Sequence, residues 1–279
     1  MINKQLFIFI VISLLANPAF SINHDSLFVD SIIENSAKAD FKSDADRIMF
    51  FARSMIGIPY CGGTLDVNEN ESLVVRTDSV DCTTYVETVL AMYLASKIEY
   101  GGYNDFKKAL TKIRYRDGVI KGYSSRLHYF SDWVTDNEKK GILYEVTSRS
   151  NHSQRHFSIN YMTKHSVLYR HLKGDSLSVN EMLRIEEKWK NYDMPYIPKE
   201  FLKTYDNNID ICNGDILALT TNIDGLDVLH LGFAIWVDGN IHLLHASSLY
   251  GRVVIDRMSL YEYLKDRKKH TGVRVIRVK

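Results

Sequence analysis

HLGFAIWVDGNIHLLHAS, residues 230–247, reads as two β-strands joined by a two-residue turn. Asp238-Gly239 suits a primed turn, which needs positive φ at both central positions, and apolar runs flank it on both sides. With that turn, Val237 pairs with Asn240, Gly232 falls opposite His245, and His230 falls opposite Ser247. Opposite residues share a face, so His230 and His245 become diagonal neighbours, roughly 7 Å apart at Cβ. His242 projects to the other face with Leu231, Phe233, Leu244 and Ala246. A longer loop with a bulge would slip the pairing by one and separate the two rings. Gly232 and Ala234 lack bulk, so the histidine face is the one expected to receive the helix bearing Cys82 at close range.

Further strand signals surround the hairpin: DILALTT (215–221), RVVID (252–256) and VRVIRV (273–278), with a helix expected near 258–266. The first half of the chain has a different rhythm. Helices are expected as a pair within 25–56, the second opened by Ser43 or Asp44, and again over 82–98, 104–115, 126–140 and 178–190. Short strand-like runs fall near 142–148 and 155–161. Helices first and then an antiparallel sheet predicts an α+β fold.

Residues 1–21 carry one cation, Lys4, an apolar run from Leu6 to Leu15, and small residues Ala19 and Ser21. This reads as a signal peptide cleaved after Ser21, because the apolar run is shorter than the 18 to 20 residues a membrane span needs. The expected product is exported, periplasmic or extracellular, with no integral membrane span. Residues 22–44 are read as an N-terminal extension and 45–279 as one domain with helical insertions. Removing residues 1–21 leaves 34 of the 35 basic side chains against 34 acidic ones. A neutral chain without clustered Lys and Arg argues against nucleic acid as a partner. The three cysteines are Cys61, Cys82 and Cys212. Either Cys61 and Cys212 are bridged and Cys82 is free, or none is paired.

Cys82 opens an expected helix in DSVDCTTYVETVLAM, residues 78–92. Two readings are open. Free cysteines are commonly inert buried hydrophobes. A helix N-terminus, however, offers unpaired N–H groups and the positive end of the macrodipole, which stabilise a thiolate. A thiol nucleophile needs a base, and a second ring can fix the tautomer of the first. With His230 and His245 on one face, Cys82, His230 and His245 have the logic of a cysteine hydrolase triad.

The order IPYCGG (58–63), VDCTTYVE (80–87), GDILAL (214–219) and HLGFAIWVDGNIHLLHAS resembles the NlpC-type cell-wall cysteine hydrolases, which have a papain-like fold. RYRDG (114–118), SRLHYFSDW (125–133) and TTNIDGLDVLHLG (220–232) resemble the N-acetylmuramoyl-L-alanine amidase-like subfamily, formerly a domain of unknown function. The resemblance spans about residues 45 to 278. It implies Cys82 as nucleophile, His230 as base and His245 as orienter, with no metal or other cofactor. The implied substrates are peptidoglycan-derived muropeptides, cut between N-acetylmuramic acid and L-alanine. It also implies a place for the Tyr60 hydroxyl near the reacting carbonyl; packing beside Pro59 is the alternative. Cys61 stands where the superfamily usually has an apolar residue.

Arg126 and His128 offer charge and hydrogen bonds suited to a lactyl-sugar and to peptide carboxylates, or else are structural. Phe130 and Trp133 are read as core. Competing functions are an endopeptidase cutting after D-glutamate with the same triad, a zinc amidase, and a wall-binding module without turnover. His156, His165 and His171 lack a compact metal spacing, and neither H-E-x-x-H nor C-x-x-C occurs.

Overall fold

The helix that begins at Cys82 is predominantly apolar and buried on nearly every side, and the fold is assembled around it. Tyr85, Val86, Val89, Leu90, Ala91, Met92 and Tyr93 have no exposed surface. A helix hydrophobic all round belongs in the middle of a structure. In the computed structural model, which describes residues 24–203 and 208–279, α3 (Cys82–Ser96) is enclosed by α1 (His24–Ala37), α2 (Asp44–Ser54), α4 (Tyr103–Arg114) and one face of a sheet. The export segment expected at 1–21 lies outside the described residues.

The elements then run α5 (Phe130–Lys139), β1 (Leu143–Glu145), β2 (Ser153–Phe157), α6 (Tyr161–Lys164), α7 (Ser176–Glu187) and β3 (Tyr192–Pro198). They finish with β4 (Ile216–Thr221), β5 (Val228–Val237), β6 (Asn240–Ser247), β7 (Arg252–Ser259), α8 (Leu260–Lys265) and β8 (His270–Val278). The strands form one antiparallel sheet in the order β2-β3-β8-β4-β5-β6-β7, with β1 also paired to β8. Helices on a mostly antiparallel sheet make this an α+β fold.

The hairpin has the expected register. Val237 pairs with Asn240 and Phe233 with Leu244, and Asp238 and Gly239 have φ of 48° and 77°, as a primed turn requires. Which face meets α3 is a correction. α3 packs on Leu231, Phe233, Leu244 and Ala246, with Tyr85 edge-on to Phe233 at 5.7 Å. The face with Gly232 and Ala234 is covered by α8 through Leu260, Tyr263 and Leu264. The bulky apolar residues took the larger partner, because they offer more surface to remove from water. Gly232 instead accommodates the neighbouring strand: a Cβ there would lie 2.9 Å from that of His245.

Two further expectations are adjusted, and of the two cysteine alternatives the unpaired one holds. Residues 126–129 are not helical; Arg126 bridges to Tyr115, and α5 starts at Phe130. Strand β3 was not expected, because Pro195 and Pro198 remove ladder donors. It pairs with β2 through residues 192–196 and meets β8 only at Ile197 and Pro198. Cys61, Cys82 and Cys212 are all free thiols, so the bridge between Cys61 and Cys212 is absent.

Two buried charge networks lock the layers. Arg114 of α4 donates from Nε to Glu87 of α3 at 2.7 Å, with each side chain only 3% exposed, and from Nη1 to the Val74 carbonyl at 2.6 Å. Arg274 of β8 forms a fork onto Glu145, at 2.9 and 2.8 Å, and donates to Ser131 Oγ at 2.8 Å. Ser131 in turn donates from N and Oγ to Asp227, at 2.7 and 2.8 Å, which ties the start of α5 to the residue before β5. Removing one member of a buried pair leaves an uncompensated charge, at a cost of about 3–5 kcal/mol. Glu87→Ala is expected to lose that much in urea unfolding. Glu87→Leu combined with Arg114→Met is expected to recover most of it, since no charge is then stranded.

Candidate active site

Asp81 positions Cys82. It is the N-cap of α3, accepting from Thr84 N and Thr84 Oγ1 at 2.8 Å each, while its own N–H donates back to Thr84 Oγ1 at 2.8 Å. This reciprocal cap fixes where the helix begins. The preceding chain is held as well. Tyr60 bridges to Val80 in parallel, Cys61 N–H donates to Val80 O at 3.0 Å, and Tyr60 N–H donates to Gly251 O at 2.8 Å.

His230 is positioned by an irregularity in β5. Leu219 of β4 faces His230, but Thr220 faces Val228, so Leu229 is an extra residue. Such a bulge bends a strand and re-aims its side chains. Cys82 and His230, both half-buried, line one cavity of about 100 Å³ together with Val86, Phe130, Trp133 and Leu231. Phe130 and Trp133, expected as core, are buried and also form a wall of that cavity.

Behind His230 the two rings meet as expected. His230 Nε2 lies 2.6 Å from His245 Nδ1, and the rings are edge to face at 4.9 Å. His245 has no exposed surface, and its Nε2 faces Asp256 Oδ2 at 3.4 Å. Asp256 had not been singled out in the sequence. Tyr263 stands edge-on to His245 at 5.7 Å.

The electrostatics differ from the expectation at the helix terminus. Burial, with the Asp81 carboxylate adding to it, pushes the Cys82 thiol up to about 11. Burial, the neighbouring His245 ring, His270 and Arg267 bring His230 down to about 3. At neutral pH both groups therefore rest uncharged. Burial, then Cys82, Asp81 and Cys61, raise the Tyr60 hydroxyl above its ordinary value, and Tyr60 is not among the residues that line the cavity of Cys82 and His230.

Arg126 and His128 line an adjoining, more polar cavity of about 190 Å³ with Asp66, Tyr123 and Tyr169. Arg126 is buried, paired with Asp66, 3.6 Å from Glu71, and stacked 5.0 Å over the Tyr123 ring. His128 Nε2 meets Tyr123 O at 2.9 Å, and burial together with Arg126 brings it down to about 3, so it is a neutral hydrogen-bonding group. Among the described residues no three His, Cys, Asp or Glu side chains gather as a metal-binding group. No helix among them is long and apolar enough to cross a membrane.

Residues 50–273 match the N-acetylmuramoyl-L-alanine amidase-like family, and the chain belongs to it. The matched span holds Tyr60, Cys82, Arg126, His128, His230, His245 and Asp256. A crystal structure of an N-acetylmuramoyl-L-alanine amidase from Bacteroides uniformis is similar with a TM-score of 0.79 and 39% identity, over 85% of this chain and 99% of that one. A Bacteroides fragilis structure named as a candidate xylanase gives 0.77 and 43%, over 81% and 99%. A Legionella pneumophila protein gives 0.69 and 25%, over 91% and 94%. No curated protein matches.

Asp81 both caps the helix and opposes ionisation of the thiol, and these effects are separable. Asparagine caps as well as aspartate but carries no charge. Asp81→Asn is expected to lower the Cys82 pKa, because the anion that disfavours a thiolate is gone. The rate of Cys82 alkylation by iodoacetamide at pH 8 should therefore rise severalfold, with little change in thermal midpoint. An unchanged rate would assign the raised thiol to burial alone.

Proposed function

We infer that this protein is a peptidoglycan amidase that uses Cys82 as nucleophile and cuts the amide between N-acetylmuramic acid and L-alanine in cell-wall fragments. The reading rests on membership of the amidase-like family. The observation that carries its cysteine mechanism is the 2.6 Å contact between His230 and His245 behind a cavity that Cys82 and His230 share.

In this mechanism a neutral thiol and a neutral imidazole start the reaction. His230 takes the thiol proton as sulfur bonds to the lactyl carbonyl carbon. The C–N bond then breaks, and the same proton goes to the departing alanine amine. Water, deprotonated by His230, hydrolyses the thioester and frees the lactyl carboxylate and the thiol. The backbone N–H of Cys82 and the Tyr60 hydroxyl are the donors for the oxyanion. The apolar cavity beside the thiol and the polar one beyond it, with Arg126 and His128, supply the two halves of a substrate cleft. An antiparallel sheet backing a helix-borne thiol is compatible with a papain-like relationship, and action on wall fragments accords with export.

The xylanase name attached to one similar structure would call for two available carboxylates across the cleft. Here Asp81 caps α3, Asp66 pairs with Arg126, Glu87 with Arg114, and Asp227 holds Ser131. Every carboxylate lining the two cavities is engaged.

The test is mass analysis of products from disaccharide-tripeptide fragments. Free tripeptide is expected from the unmodified protein, with activity reduced at least about a thousandfold in Cys82→Ala and unaffected by EDTA. A released dipeptide would instead identify the endopeptidase, and loss with EDTA restored by zinc would overturn the thiol mechanism. The pH profile is a second check. His230 held down to about 3 can act as a base through mildly acidic solution. The acid limb of kcat/KM is accordingly expected well below pH 5, and a limb near 6.5 would contradict the assignment.

A further inference from the structure

Asp256 sits in a second irregularity, on the far side of β6. His242 pairs with Ser259 and Leu244 with Ile255, so β7 carries two extra residues between those pairs. The extra chain is folded around Asp256. Its Oδ1 accepts from Met258 N–H at 2.9 Å, and its carbonyl meets His242 Nδ1 at 2.9 Å. The carboxylate is 1% exposed, and its remaining oxygen points at His245. Two buried atoms, Asp256 Oδ2 and His245 Nε2, face one another at 3.4 Å, and neither has another hydrogen-bond partner among the described residues. Buried polar atoms without partners are costly, so two that face each other mark a bond that a small closure completes.

This contact has a consequence for proton positions. A carboxylate only accepts, so His245 must carry its proton on Nε2 to meet it. His245 Nδ1 is then an acceptor, and the 2.6 Å contact requires His230 to donate from Nε2. A neutral His230 protonated on Nε2 has a free lone pair on Nδ1. With the opposite polarity, His245 would donate from Nδ1, His230 would carry its proton on Nδ1, and its Nε2 lone pair would be taken up by His245, leaving no free ring lone pair.

We propose that Asp256 is a positioning residue: it fixes the proton of His245 on Nε2 and so leaves Nδ1 of His230 as the nitrogen that takes the proton of Cys82. The proposal rests on the reading of Cys82 and His230 as the reacting pair. The other titratable and charged groups around the relay are Tyr263 and Arg267 beside Asp256, His242 at its carbonyl, and His270 and Arg267 beside His230. Although burial opposes its charge, the His245 ring, the Met258 N–H and Arg267 hold the Asp256 carboxyl below its ordinary range, which keeps it an acceptor.

Asp256→Asn tests the direction of the relay. The amide can present N–H to His245 Nε2, which reverses both bonds and places a proton on His230 Nδ1. Turnover of the disaccharide-tripeptide is expected to fall by about 100-fold or more in kcat, with KM changed by less than about threefold and the fold retained by circular dichroism. In 15N spectra of histidine-labelled protein, the unmodified chain should show His245 protonated on Nε2 and His230 on Nε2, and the variant should show both on Nδ1. A kcat within about threefold of the unmodified protein, or a proton on His245 Nδ1 in the unmodified protein, would overturn the proposal. If the variant fails to fold, the spectrum of the unmodified chain decides alone. That spectrum needs no substrate, so an error in the substrate assignment leaves it standing. An unmodified protein without amidase activity counts against the proposed function and not against the relay.

Discussion

The 2.6 Å contact between His230 and His245 is the constraint on which the site depends, and it is a property of strand register. The two residues lie fifteen apart in sequence, and they share a face only in pairings of one parity, which a one-residue slip would break. The Asp238-Gly239 turn selects that pairing at one end of the hairpin. Phe233 and Leu244, buried against α3, enforce it in the middle, since a one-residue slip would turn them away from the core and swing a histidine into it. Bulges in β5 and β7 then depart from regular pairing where the histidine chain must turn toward the thiol and toward Asp256. Regular structure sets the bond, and irregular structure aims it.

Around that bond, burial outweighs the field of the helix. A macrodipole is worth about 0.3–1 kcal/mol at exposed positions and up to about 2 in partly buried ones. Desolvation of the thiolate works against it, and so does the capping carboxylate next door. The thiol accordingly ends well above its ordinary value, and the imidazole well below its own. In the proposed chemistry the site would hold no separated charge before substrate arrives, so proton transfer and attack on the carbonyl belong to one event.

Much of this was readable from the chain because the signals were local. A primed-turn dipeptide between apolar strands determined the register, and the helical period from Cys82 onward marked the start of α3. Less local features were hidden. The covering of the Gly232 face by α8 depends on which helix has more apolar surface to bury, a competition that no single window of sequence displays. Strand β3 was masked by Pro195 and Pro198, tolerated because its contact with β8 is brief. Asp256 escaped notice because its carboxylate reaches His245 only through two extra residues in β7, and a strand pattern read with period two cannot foresee them.

The close approach at Gly232 ties together two positions on neighbouring strands. The space a side chain would occupy there is already filled by the Cβ of His245. Every residue but glycine carries that Cβ, so exchanging the imidazole for another side chain would leave position 232 just as closed. The constraint thus runs from strand spacing to one residue: the carbonyl of Leu244, at 3.0 Å, would crowd a side chain there as well, and only the bare backbone of glycine lets β5 and β6 lie this close.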